Sequence, residues 1–473
     1  MQTLLILLFA YFVSFLDKPE KTAPQLSPRA VEQRDKWHIP TDQMDYPVST
    51  LYMDSLRRMG VKIYHKSRWF NGVTCEMKPE LAEQVRGLSF VTAVEMTRDD
   101  SAPIYSSRKR RIPAWQNDQT MTDENDAQLA FYNLQPLHAA GFEGQGILMA
   151  VCDGGFQDAD KLTYFRQKQE LGHFDFTDDT YDFYGESGSH GTMCLSTISA
   201  IYEGSYNSYY GAATEANYYL MRSEENDTES PKEMDNLVVA LEKADSLGVN
   251  IFSVSLGYAM FDNGSWTLDK TTDLDGRSTR SSYAATIAAR KGMLVVVAAG
   301  NEGDDNWHTI SSPADADSVL TVGAASVDSL MGGFSSYGPT SDERIKPEVC
   351  AVGAGVWVMS PYGFPTTSNG TSFATPLMAG FAACLWSALP DENALQIRER
   401  IIRSANRYIR PDPNYHFGYG IPDAWKAYTM TLEEGIESTR TDETPGTKIL
   451  RNGKIYILRG NKIYDLMGRA LEE

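Results

Sequence analysis

Residues 369–389 read NGTSFATPLMAGFAACLWSAL, and the way this stretch must fold organises everything before it. Gly370 lets the chain turn closely, and Pro376 is tolerated only in a first helical turn, so the spacing predicts a helix starting near Ser372. The Ala-rich apolar run that follows marks that helix as buried. A helix N-terminus offers free N–H groups and partial positive charge, so negative charge developing beside Ser372 would be stabilised there. Three more glycine-containing phrases stand earlier in the chain: VCDGGF around Asp153, GSHGT around His190 and AAGNEG around Asn301.

Working outward, the chain from Gly144 alternates buried strands with helices. ILMAV, YYLMR, IFSVSL, LVVVAA and VLTVGAA are short runs rich in Val, Ile and Leu, as strands covered on both faces require. Between two of them, PKEMDNLVVALEKADSLG places Met234, Leu237, Val238, Leu241 and Ala244 at helical spacing and ends on Gly248, a C-cap residue type. Alternation of this kind predicts an α/β fold with a doubly wound, mostly parallel sheet flanked by helices. Sites in such sheets form at the carboxyl ends of the strands, where Asp153 and Asn301 fall.

A serine hydroxyl is a weak nucleophile and needs an adjacent base. Asp153, His190 and Ser372 stand in one of the chain orders known for serine triads, that of subtilisin. On these four phrases the chain resembles the subtilisin-like serine peptidases (subtilases) from about Gly144 to Pro422. The resemblance implies Ser372 as nucleophile, His190 as general base, Asp153 holding the His190 tautomer, and Asn301 donating to the oxyanion. Of the other histidines, none combines flanking glycines with a following helix. One departure is Gly154, where subtilases carry Thr or Ser beside the aspartate. By the same resemblance, Ser255, Leu256 and Gly257 form a strand edge that pairs with an extended substrate. Ala298, Ala299 and Gly300 line the pocket for the side chain before the cut bond, with room for a sizeable apolar group.

No cofactor is required by this chemistry, and no metal ligands are assigned. The loop from Tyr258 to Thr279 carries Asp262, Asp269, Asp273 and Asp275, carboxylates suited to Ca²⁺ but without EF-hand spacing. Sixty-three acidic against 43 basic residues give a net charge of −20, which argues against a nucleic-acid surface. The partners implied are protein or peptide substrates. The five cysteines are widely spaced and read as small buried hydrophobes rather than a disulfide framework.

Leu4–Leu16, LLILLFAYFVSFL, is too short to span a bilayer as a helix and suits a signal-peptide core, so residues 1–20 are expected to direct export. Residues 37–96 read as a small α+β domain resembling a subtilase propeptide, hence an intramolecular inhibitor. Residues 97–126, with Arg108, Lys109, Arg110 and Arg111, form a processing linker. Residues 127–431 make the catalytic domain and 432–447 an acidic linker. Residues 448–473 read as a hairpin around a Gly-Asn turn, resembling the sorting segment of type IX secretion in some Gram-negative bacteria. The expectation is a secreted or cell-surface endopeptidase. A lipase or esterase is excluded, because those place Gly-x-Ser-x-Gly before the acid and the histidine. A subtilase fold that binds without catalysis is the alternative.

Overall fold

Part of the apolar run expected to be a signal core forms a strand, and residues 1–8 lie outside the described residues. In the computed structural model, which describes residues 9–20, 22–99, 124–166, 169–177, 182–205, 208–225, 229–261, 267–408, 413–432 and the strands of a C-terminal sheet, β1 spans Phe9–Phe15. It is followed by α1 (Pro28–Lys36), α2 (Thr50–Arg58), β2 (Lys62–Ser67), β3 (Gly72–Met77), α3 (Pro79–Arg86) and β4 (Val91–Asp99). The sheet order is β2-β3-β1-β4, so β1 lies between two antiparallel partners, with Val13 opposite Val73 on one side and Val94 on the other. Tyr11, Val13 and Phe15 join a core with Met53, Leu56 and Val85 of the helices. Phe12, on the alternate face, lies beneath the Arg280 guanidinium. Both faces of β1 are therefore covered, which requires an uninterrupted apolar run. This domain thus begins before residue 37. The basic run at 108–111 and most of both linkers fall outside the described residues.

The α/β domain contributes α4 (Glu124–Ala130), α5 (Gln135–Ala139), β5 (Leu148–Asp153), β6 (Glu170–Asp175), α6 (Ser189–Ser199), β7 (Ile201–Glu203), β8 (Ser208–Tyr210) and β9 (Asn217–Arg222). Then follow α7 (Pro231–Leu247), β10 (Ile251–Val254), α8 (Arg280–Arg290), β11 (Leu294–Ala298), β12 (Leu320–Ala325), β13 (Val349–Val352), β14 (Ala354–Met359), β15 (Pro365–Asn369), α9 (Thr371–Ala388), α10 (Ala394–Ser404) and α11 (Ala424–Thr429). The central sheet runs β13-β12-β11-β10-β5-β9-β6, and each neighbouring pair is parallel. Along β5, Met149 and Val151 pack in the cluster that holds α6 and α9, while Leu148, Ala150 and Cys152 pack in the cluster that holds α7 and α8. The five strands read from the sequence are present, and β6 and β13 complete the two edges. All five cysteines are buried and free.

The N-terminal domain sits on α7 and α8. Thr74 Oγ1 donates to Asp235 Oδ2 at 3.1 Å, and the Arg280 Nε donates to Asp235 Oδ1 at 2.7 Å. The segment carrying α1 runs on to the far ends of these helices, where charges are buried together. Asp45 is fully buried against Arg34 at 2.8 Å, Lys291 at 3.1 Å and Arg68 at 3.4 Å. Asp245 on α7 meets Arg34 at 2.7 Å and Arg68 at 2.5 Å, and Glu242 accepts the Ser67 hydroxyl at 2.6 Å.

A second unit begins at Thr429. It contains β16 (Thr447–Arg451), β17 (Lys454–Arg459), β18 (Lys462–Tyr464) and β19 (Ala470–Leu471), paired antiparallel in chain order, so the expected hairpin extends to four strands. Among the described residues, no helix is long and apolar enough to cross a membrane.

Helix α7 starts with Pro231 in its first turn and Glu233 accepting from the Ser230 N–H at 3.1 Å, and it stops at Gly248 with φ 75° and ψ 42°. A Cβ on Gly248 would also meet the Ala30 backbone nitrogen at 2.7 Å. Gly248→Ala is expected to destabilise the α/β domain by about 1 kcal/mol and to loosen the N-terminal domain. Chemical denaturation reads the first effect, and limited proteolysis between the domains reads the second.

Candidate active site

Asp153 closes β5 with its side chain only 2% exposed, and His190 is the second residue of α6, with 42% of its side chain exposed. His190 Nδ1 lies 2.9 Å and 3.0 Å from the two Asp153 oxygens. A carboxylate only accepts, so Nδ1 carries the proton and Nε2 is left as the basic nitrogen. The approach of α6 to β5 depends on Gly191, where a Cβ would fall 2.9 Å from Asp153 Cβ and 2.2 Å from Gly155 O. At Gly154, noted above as a departure, the backbone N–H donates to Asp153 Oδ1 at 2.8 Å. Partial burial of the His190 ring disfavours its charge, but the Asp153 carboxylate and its hydrogen bonds outweigh that, and the ring titrates well above the ordinary histidine range.

Ser372 is the second residue of α9, and Asn301 follows β11 by three residues. Asn301 Oδ1 accepts from the Thr371 N–H at 2.9 Å and lies 3.0 Å from Thr371 Oγ1. These donors fix the amide so that Nδ2 faces away from them, and Nδ2 makes no hydrogen bond among the described residues. The Ser372 N–H likewise has no acceptor there. Two donors thus stand free beside one serine. No hydrogen bond joins Ser372 Oγ to His190 Nε2 here, a common feature of sites without substrate.

Pro376 lies deeper than its expected place in the first turn: α9 begins at Thr371, so the proline falls in the second turn. Without an N–H it cannot bond the Ser372 carbonyl four residues back. That carbonyl accepts instead from Ser255 Oγ at 2.7 Å and Cys194 Sγ at 3.2 Å. The Ser255 hydroxyl therefore faces the serine turn, not a substrate. Leu256 is half-buried and Gly257 exposed, and neither makes a backbone hydrogen bond among the described residues. Ala299 is fully buried in the apolar cluster with α7 and α8, so it presents no side-chain wall. The neighbours of Gly257 and Gly300 are Ser311, Ser336 and Glu302, a more polar lining than the sequence suggests. Glu302 accepts from the Asn301 N–H at 2.8 Å, and burial pushes its carboxyl upward.

Among the loop carboxylates, Asp269, Asp273 and Asp275 accept from nearby N–H groups as turn residues, and Asp262 lies outside the described residues. A different trio, Glu224, Glu229 and Glu233, brings oxygens within 4.8 Å of one another. Glu224 already accepts from the Tyr258 hydroxyl at 2.7 Å, and Glu233 from the Ser230 N–H at 3.1 Å.

Residues 10–112 match the Bacteroidota peptidase S8 propeptide domain. Serine protease AprX of Bacillus subtilis (strain 168) is 27% identical over 335 residues, covering 64% of this chain and 70% of that protein. Subtilisin NAT of Bacillus subtilis subsp. natto is 28% identical over 286 residues, covering 60% of this chain and 66% of that protein. The crystal structure of MycP1 from Mycobacterium smegmatis aligns with a TM-score of 0.54 and 21% identity, over 69% of this chain and 90% of that one. Residues 144–420, which hold all four phrases, match the subtilase family, and the chain belongs to it.

Proposed function

We propose that this chain is an exported serine endopeptidase made as a precursor that its own N-terminal domain holds inactive. The observation carrying the catalytic reading is the Asp153–His190 pair set beside a serine with two unengaged donors. A substrate strand pairs with the open backbone at Leu256 and Gly257. Ser372 Oγ attacks the peptide carbonyl while His190 Nε2 takes its proton, and the charge on the carbonyl oxygen is met by Asn301 Nδ2 and the Ser372 N–H. Collapse breaks the C–N bond, and His190 passes the proton to the departing amine. Water then attacks the acyl-enzyme with His190 as base, restoring the free serine. Residues 448–473 are read as the sorting segment for export.

A fluorophosphonate probe tests the nucleophile. Processed enzyme is expected to be labelled and Ser372→Ala to stay unlabelled; processed enzyme that takes no label would leave a binding protein as the reading, and labelling that survives the substitution would place the nucleophile elsewhere. The pH profile tests the pair. His190 must be neutral to act as base and its proton is held more tightly than usual, so kcat/KM should rise with pH through that raised value. Asp153→Asn is expected to move the rising limb to lower pH and to cut kcat roughly 10³–10⁴-fold.

Inhibition is supported by the buried ionic contacts around Asp45. Arg34 belongs to the N-terminal domain, so changing it leaves the peptidase domain chemically intact. Arg34→Met strands Asp45 and Asp245 without one partner, and the cleaved N-terminal domain is expected to be held roughly 10²-fold more weakly. Gel filtration of the processed chain, with the time course of appearing activity, measures this. An unchanged complex would rule out the contact as a determinant of latency.

A further inference from the structure

The carbonyl of Ser372 joins three parts of the site that the backbone leaves separate. In a regular helix it would accept the N–H four residues on, but Pro376 has none. The acceptor is buried and needs other partners. Ser255, immediately after β10, donates its hydroxyl at 2.7 Å. Cys194, one turn into α6 from His190, donates its thiol at 3.2 Å. Burial keeps that thiol protonated and therefore a donor. The same sulfur lies 3.8 Å and 4.0 Å from the two ring nitrogens of His190.

On the opposite side of the nucleophile, the Thr371 N–H is held by Asn301 Oδ1 at 2.9 Å. The first turn of α9 has no side-chain cap of its own. Ser372 is thus gripped from outside at both ends: through the preceding N–H by the oxyanion-side asparagine, and through its own carbonyl by the base's helix and the substrate edge.

We infer that Ser255 and Cys194 are positioning residues, which use the carbonyl freed by Pro376 to set the Ser372 hydroxyl and N–H against His190 and Asn301. The inference rests on the reading of Ser372 as nucleophile. Because both donors share one acceptor, either alone keeps it satisfied, and losing both leaves a buried carbonyl unpaired. The turn then relaxes. A displacement of the reacting oxygen of about 1 Å costs roughly 10²-fold in rate.

The test compares processed enzyme carrying Ser255→Ala, Cys194→Ala, the double substitution, and the donor-keeping Cys194→Ser. For each, kcat and KM on a peptide substrate, the pH profile and the fluorophosphonate labelling rate are measured. Each single alanine variant is expected to lower kcat and labelling by less than about tenfold, and the double variant by more than the product of the singles, roughly 10²-fold. KM and the position of the His190 limb should stay in place, and Cys194→Ser should label close to the parent rate. Single-variant losses that simply multiply, or losses confined to KM, would overturn the inference. Should Ser255→Ala not fold, Cys194→Ala against Cys194→Ser still decides it: equal losses in the two would overturn it. Failure of the site reading itself is distinguishable, because only then would the parent enzyme take no label or Ser372→Ala keep it.

Discussion

The contact between the Asp153 carboxylate and the His190 ring demands that a strand end and a helix start come within one hydrogen bond of each other. Much of the α/β domain follows from that demand. The strand must be interior, so that its last residue is shielded from water, and β5 accordingly lies between β10 and β9. The helix must touch the strand end, which Gly191 and Gly188 allow. The carboxylate must keep a donor of its own, and the Gly154 amide takes the place of a neighbouring hydroxyl. Each requirement is local, yet together they place β5 in the sheet interior and α6 at its carboxyl end.

The join between the two domains obeys a different rule. Charges as deeply buried as Asp45, Arg34 and Arg68 persist only where each has a partner, and such clusters contribute more to the choice of partner than to net strength. Arg34 and Arg68 each bridge an acid of their own domain and Asp245 across the boundary. A misplaced N-terminal domain would bury these groups unmatched. The arrangement therefore selects one docking pose, while the apolar contacts of Phe12 and Phe70 supply surface burial.

Legibility from the sequence tracked how local each signal was. Interior parallel strands are apolar on both faces and announce themselves, as β5, β10, β11 and β12 do. The edge strand β6 does not, because it alternates with polar residues. Asp153, His190, Asn301 and Ser372 stood out because each sits in a glycine-bearing phrase. The inward turn of the Ser255 hydroxyl was not, since it answers to a proline more than a hundred residues away. The run at residues 4–16 was ambiguous in principle, because a strand covered on both sides and a signal core share the same composition. Only the pairing partners distinguish them.

Those partners also impose an order on synthesis. β1 leaves the ribosome before its neighbours β3 and β4, which begin only at residues 72 and 91. During that interval the chain carries an apolar strand with both edges unpaired, a ready template for wrong association. A chain begun at Trp37 would avoid the wait, and would leave β3 and β4 facing an empty central place.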